Sequence, residues 1–308
     1  MIKIFRTLFA LGSLIMILAG CTKDDVKVTF PTFEAFLVTQ PSLAMFSKAV
    51  EKANLKDFTN GPGPFSWFAP TDAAFTAAGI TTDSLNRMTP GSISFLLTYH
   101  LVNAAYFSEN MVAVSSISRT TQNGAPIYTG SLNNNYFVNG GKITSVDNRL
   151  NNGYLHITDK FLVPPVLRGN DTTILKSTGQ HTLFIAALRK TGLFAILGSA
   201  SIFTVMAPTD AAMISAGYTD AFITATPAAT LLPIMRYHYF NSVRLFTNDF
   251  AADLTTIATA AGPSTLLTTS SNGTMVKGKG NAAPVKIIDA DILGTNGVVH
   301  IIDGVLRP

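Results

Sequence analysis

The chain has 308 residues, of which 47% are hydrophobic and only 13% charged, against roughly 25% charged in an ordinary soluble domain. A single cysteine excludes a disulfide framework, a cysteine-rich zinc site and an iron–sulfur centre, and a formal charge of +4 carries no nucleic-acid footprint. The 37 threonines supply much of the hydrophilic surface in uncharged form, as suits an extracellular protein, and the length allows two cores of ordinary domain size.

Met1 to Arg6 carries two positive charges, and Leu8 to Ala19 is an apolar run interrupted only by Gly12 and Ser13, the layout of a secretory signal. About a dozen residues is too short to span a bilayer. The run ends in Leu18-Ala19-Gly20-Cys21, which resembles the lipobox of bacterial lipoproteins, and the only cysteine stands at its acylation position. The resemblance implies cleavage before Cys21, a palmitate-type lipid anchor on Cys21, and loss of Lys3 and Arg6, which leaves 20 basic against 18 acidic residues. Several acyl chains hold a protein to a bilayer far more firmly than one. Thr22-Lys23-Asp24-Asp25-Val26 is similar to the export signal that sends some lipoproteins to the outer face of the outer membrane, with Lys23, Asp24 and Asp25 as its charged residues. The expected order is a signal peptide over 1–20, a lipidated tether over 21–30, and an outer-membrane anchor facing the exterior; a charged tether on the periplasmic face is the alternative.

The body repeats itself. At an offset of 138 Phe46 aligns with Phe184, Lys52 with Lys190, Leu55 with Leu193 and Phe65 with Phe203, and Ala69 to Ala74 reads through onto Ala207 to Ala212. Gly79, Tyr99, His100 and Asn103 fall on Gly217, Tyr237, His238 and Asn241; farther on, Asn152-Gly153 and His156 pair with Asn296-Gly297 and His300 at an offset of 144. A period of this length is a duplicated domain rather than a solenoid unit. The copies are expected over 31–167 and 174–308, with a turn-prone linker over 168–173.

Each copy reads helix, strand, helix, then strands. Leu43, Phe46, Val50 and Ala53, and in the second copy Phe184, Ala187, Leu188 and Leu193, form one face of an amphipathic helix. Phe65 to Phe68 and Phe203 to Met206 are buried strands ended by Pro70 and Pro208. Thr71 or Asp72, and likewise Thr209 or Asp210, cap the helix that follows. Tyr154 to Val163 and Val298 to Leu306 read as central strands.

An apolar strand into Ala-Pro-Thr-Asp-Ala-Ala, Tyr-His about thirty residues on, and Asn-Gly-x-x-His-x-x-Asp before a closing Pro together resemble the fasciclin domain. Both copies carry all three elements, covering about 270 residues; Met213 in place of the usual Phe and Thr158 in place of an aliphatic residue are mild departures. The resemblance implies an α+β fold, two tandem domains each with a sandwich or wedge of about seven strands packed with short helices. It also implies roles in cell adhesion or extracellular matrix contact, and receptor binding at Tyr99-His100 and Tyr237-His238.

Four of the five histidines, His100, His156, His238 and His300, stand at motif positions, which raises the question of a metal or catalytic site. Neither a His-x-His nor a His-Glu-x-x-His spacing occurs, so zinc would have to recruit Asp72 or Asp159 by folding alone. The reading of the residues is structural, each imidazole satisfying backbone or Asp groups inside an apolar domain. No Gly-x-Ser-x-Gly elbow, phosphate loop or dinucleotide fingerprint is present, so no catalytic residue, metal or cofactor is assigned and an enzyme is not expected. The apolar stretches ahead of Tyr99 and Tyr237 place these tyrosines in the core; Tyr106, Tyr128, Tyr136 and Phe137, beside Asn133-Asn134-Asn135, are the alternative grip for a ligand. Partners are then the bilayer through acylated Cys21 and an extracellular or envelope protein or polysaccharide, with no nucleic acid. The function is anchored adhesion or interaction, the alternative an accessory glycan-binding lipoprotein for nutrient uptake, and an envelope enzyme ranks third.

Overall fold

The computed structural model describes residues 29–111, 117–250, 256–270 and 274–308. The signal segment, Cys21, Lys23, Asp24 and Asp25 lie outside the described residues. In the first copy the elements are helices α1 (Phe33–Val38), α2 (Ala44–Lys52) and α3 (Lys56–Thr59), strand β1 (Phe65–Pro70), and helices α4 (Asp72–Ala77), α5 (Thr82–Arg87) and α6 (Pro90–Thr98). Strands β2 (Leu101–Val102), β3 (Ile117–Thr120), β4 (Pro126–Leu132), β5 (Asn135–Val138), β6 (Gly141–Leu150) and β7 (Gly153–Thr158) follow. The second copy repeats the order with α7 (Asp171–Ser177), α8 (Thr182–Lys190), α9 (Leu193–Leu197), β8 (Phe203–Pro208), α10 (Asp210–Ser215), α11 (Asp220–Ala225) and α12 (Ala228–Arg236). It ends in β9 (Tyr239–Asn241), β10 (Thr256–Thr259), β11 (Gly262–Ser270), β12 (Met275–Lys277), β13 (Val285–Leu293) and β14 (Gly297–Ile302).

Each copy forms one seven-stranded sheet, in the orders β2-β1-β7-β6-β5-β4-β3 and β10-β11-β12-β13-β14-β8-β9. All neighbours run antiparallel except β1 with β7 and β8 with β14, which are parallel from Phe65↔Gly153 to Pro70↔Thr158 and from Phe203↔Gly297 to Pro208↔Ile302. A parallel pair is buried on both faces, which is why these strands read as unbroken apolar runs. In β1, Trp67 and Ala69 enter the core against the helices, where Phe33, Phe46 and Phe75 pack, while Phe68 enters a second core with Tyr99, Val138 and Leu162. In β8, Val205 and Ala207 face the first of these layers and Met206 the second. Helix α2 contributes Phe46, Ala49 and Val50, a spacing of three and four that puts all three on one face. The Asn133-Asn134 tip is a two-residue hairpin turn with φ of 49° and 59°, the left-handed geometry that Asn tolerates.

The expected linker over 168–173 holds a turn followed by the start of a helix. Arg168 to Asn170 make a turn whose Gly169 carbonyl accepts a bond from Thr295 N at 2.9 Å, but Asp171 already opens α7, with Asn170 as its N-cap. Asp171 stands where Phe33 stands in α1, at the first helical position after the cap, and both are buried. Phe33 packs on Trp67 at 5.2 Å between ring centroids. The Asp171 carboxylate oxygens have no hydrogen-bond partner among the described residues, and burial pushes its pKa up from 3.8 to about 7, with Arg244 pulling the other way. At pH 8 the folded state therefore holds a buried, unpaired charge that the unfolded chain hydrates. Replacing it by an amide, Asp171→Asn, is expected to raise the unfolding free energy at pH 8 by ~1–3 kcal/mol. The gain should shrink as pH falls towards 5, where the native carboxyl is protonated; urea denaturation at both pH values measures it.

Candidate functional site

The three repeated motifs converge on the parallel strand pair of each copy. At the strand-to-helix corner the cap is Thr71, whose Oγ1 accepts from Ala74 N at 3.2 Å, and Thr209 does the same for Ala212 N at 3.1 Å. The aspartates act elsewhere: Asp72 Oδ1 accepts from Met45 N and Asp210 Oδ1 from Leu183 N, both at 2.8 Å, tying the corner to the first turn of α2 and α8. The repeated lysine has the same kind of task, since Lys190 Nζ donates to the carbonyls of Ile223 and Thr224 at the end of α11, and Lys52 Nζ to those of Leu85 and Asn86 at the end of α5. Basic groups at helix C-termini satisfy carbonyls that have no partner in their own helix.

In Asn-Gly the amide and the glycine do separate work. Asn152 Nδ2 donates to the carbonyls of Phe58, Thr59 and Gly61, and Asn296 Nδ2 to those of Leu197 and Ser199. A Cβ at Gly153 would lie 1.8 Å from Phe65 O, and one at Gly297 2.2 Å from Phe203 O, so only glycine lets the closing strand approach at that point.

All four motif histidines are fully buried and each uses both ring nitrogens. His100 Nδ1 donates to Leu96 O at 3.0 Å and its Nε2 accepts from Leu162 N at 2.9 Å; His238 repeats this with Ile234 O and Leu306 N. His156 and His300 take the other tautomer. Nε2 donates to Tyr106 O at 2.8 Å and to Leu245 O at 2.9 Å, while Nδ1 accepts from Asp147 N and Asp291 N. The carboxylates of Asp147 and Asp291 lie 4.0 and 3.8 Å from those same Nδ1 atoms, yet no ion pair forms, because a nitrogen that accepts an N–H carries no proton. Burial drives the pKa of His100 and His238 from 6.5 down to about 4, against the backbone bond that favours the proton, and lowers His156 and His300 for the same reason. The fifth, His181, is also buried and bonded through Nδ1 to Pro208 O, with its pKa lowered by burial.

The structure places Tyr99, His100, Tyr237 and His238, the residues to which the resemblance gives ligand contact, inside the core. All four are 0% exposed. Tyr99 OH donates to Pro126 O and accepts from Asn139 Nδ2, and Tyr237 OH accepts from Lys279 N. Among the loop aromatics, Tyr106 is buried with its hydroxyl on Thr129, whereas Tyr128, Tyr136 and Phe137 are half-buried. The bulges in β6 and β13 each carry an aspartate that belongs to none of the three motifs. Asp147 and Asp291 adopt φ of 58° and 59°, and each receives the N–H and hydroxyl of Ser108 or Thr247 on its carboxylate. The two aspartates do fall on one another at the offset of 144 that pairs Asn152 with Asn296, but the positive φ that makes each a bulge is visible only in the fold.

The two copies meet at a built joint. Lys160 Nζ donates to Asn139 O at 3.1 Å in its own domain and to Asp291 O at 3.0 Å in the other, and burial lowers its pKa against the opposing pull of Asp291. The Tyr128 ring lies 5.9 Å from that of Phe246, with the Arg244 guanidinium 5.2 Å from its centroid. Gly140, at φ +76°, lets the Asn139 turn press on Asp291, whose Cγ would be 2.2 Å from a Cβ there. Asp291 is consequently covered, with 5% of its side chain exposed, while its counterpart Asp147 keeps 34%. Among the described residues no group of three or more His, Cys, Asp or Glu is placed to hold a metal ion.

The neutral imidazoles make the fold acid-sensitive. A histidine whose folded pKa lies below its unfolded value stabilises the native state above about pH 6.5 and loses that contribution as pH falls towards about 4. Each such group contributes a slope of up to ~1.4 kcal/mol per pH unit in that window, and two carboxyls whose pKa burial raises, Asp171 and Asp159, oppose the five lowered histidines without outnumbering them. Denaturation followed by the lone, buried Trp67 is expected to give a falling midpoint between pH 6.5 and 4.5; a flat profile would contradict neutral, doubly bonded imidazoles.

Comparison with known proteins follows this division into two copies. The family model described as the fasciclin domain matches residues 41–164 and again 179–308. The chain is 26% identical over 285 residues to pig transforming growth factor-beta-induced protein ig-h3, an alignment covering 92% of the chain and 38% of that protein. It is 30% identical over 153 residues to human periostin, covering 48% and 18%. It is also 26% identical over 133 residues to the uncharacterised protein sll1735 of Synechocystis, covering 43% of the chain and 98% of that protein. The chain thus spans well under half the length of the two animal relatives and is about twice as long as the bacterial one. With both copies matched, each with its corner, Tyr-His and Asn-Gly-x-x-His elements in register, the chain belongs to the fasciclin-domain family as a tandem pair.

Proposed function

We propose that this chain is an anchored extracellular interaction module, held to the outer membrane by acylated Cys21, carried to the outer face by Lys23-Asp24-Asp25, and binding protein or polysaccharide through the outer surfaces of its two fasciclin domains. The observation that carries the reading is the commitment of the repeated polar groups: each motif histidine has both nitrogens bonded to backbone, and Asn152, Asn296, Thr71, Thr209, Asp72 and Asp210 bond to the fold itself. Imidazoles so engaged hold no free nitrogen for a substrate, which favours a scaffold that presents surface over a catalytic cleft. Two domains on one tether also raise avidity by keeping the second site at high effective concentration.

The chain from Thr22 to Pro308, screened against arrayed glycans and matrix proteins, is expected to bind in a manner indifferent to Tyr99→Phe and weakened by Tyr136→Ser, a half-buried aromatic beside the exposed Asn133-Asn134 tip; loss of binding in a folded Tyr99→Phe variant would return the site to the Tyr-His segment. In cells, Cys21→Ala is expected to abolish labelling by palmitate and to move the protein from the membrane fraction to the soluble one. Digestion of the wild type by external protease on intact cells tests the outward orientation.

A further inference from the structure

Beside the Lys160 joint lies a cleft of about 650 Å³ between the two domains, within the range of small-molecule sites, which favour domain interfaces. Ala77 and Phe161 line it from the first domain, Ile174 and Asp289 from the second, and Leu167 and Arg168 from the turn that joins them. The charges on its walls differ in how far they are committed. Lys160 is held by two carbonyls, and Asp291 by Thr247. The Arg168 guanidinium and the Asp289 carboxylate make no side-chain hydrogen bond or ion pair among the described residues, although the Asp289 charge acts on Arg168. A half-buried guanidinium and an exposed carboxylate thus line the same cleft without closing to within 4.0 Å. Asp159, on the same wall as Lys160, uses one oxygen for Lys142 N and keeps the other.

We infer that this cleft binds a short zwitterionic peptide with apolar side chains. Its terminal carboxylate would take the Arg168 guanidinium, which suits a carboxylate in paired hydrogen bonds. Its ammonium would lie with Asp289 and Asp159, and its side chains against Phe161, Leu167 and Ile174. A purely anionic ligand such as a uronate oligosaccharide is disfavoured, because the carboxylates on the same walls repel it. The inference is independent of the adhesion reading, which uses the outer surfaces of the domains.

Calorimetric titration of the full-length protein in detergent with trileucine tests it, beside trileucine blocked by acetyl and amide groups and beside trigalacturonate. Trileucine is expected to bind with a Kd below about 1 mM, the blocked peptide at least about tenfold more weakly, and Arg168→Gln and Asp289→Asn each to weaken free trileucine by about the same factor. The blocked peptide makes the comparison on unaltered protein, so a variant that fails to fold leaves the test intact. Absence of trileucine binding, equal binding of free and blocked peptide, or preference for trigalacturonate would each overturn the assignment.

Discussion

Everything repeated in this chain is arranged around one contact, the parallel pairing of β1 with β7 and of β8 with β14. The partners are separated by more than eighty residues, so the pairing closes a long loop, and its loop-closure entropy has to be offset by the interactions gathered along it. Phe65 N donates to Asn152 O at the start of the pair and Thr71 N to Thr158 O at its end. Between them the His156 ring stacks on Phe68 at 5.1 Å. Glycine at 153 and 297 permits the approach, the Asn beside it holds the preceding helix end, and Pro70 and Pro208 stop the strand where the next helix must begin.

The histidines extend this constraint to the elements packed on the pair. An imidazole is the one side chain that, while uncharged, offers a donor and an acceptor on opposite edges of a rigid ring. His100 uses them to join the end of α6 to the segment leaving β7, and His156 to join the bulge of β6 to the loop after β2. A carboxylate or an ammonium in the same place would bring a full charge into the core and serve only one kind of partner. Burial that keeps the rings neutral is therefore the condition for the clip, and acid attacks the fold at these points.

The duplicated domains have diverged where they meet. Gly304 stands in the second copy at the place of Lys160, so the ammonium that joins Asn139 O of one domain to Asp291 O of the other has no counterpart at that position. The same bulge aspartate is open in one copy and covered in the other. Phe33 and Asp171 occupy one structural position with opposite chemistry, an aromatic anchor in the first domain and an unpaired buried carboxyl in the second.

Much of this was legible in the sequence because it depends on local pattern or on self-comparison. Apolar runs ending in Pro read as buried strands, the offset of 138 gave two copies, and the residues that conferred the family resemblance are those that form the parallel junction. The choice between Thr71 and Asp72 as cap was open, since both types cap helices and only the placement of α2 shows that Asp72 serves a different helix. Tertiary structure alone decided that Tyr99 and Tyr237 face inward, that Asp147 and Asp291 lock the bulges, and that Lys160, Arg168 and Asp289 meet across the joint. Those features bring together residues up to about 130 positions apart, and neither periodicity nor motif spacing encodes a distance in space between segments that only folding makes neighbours.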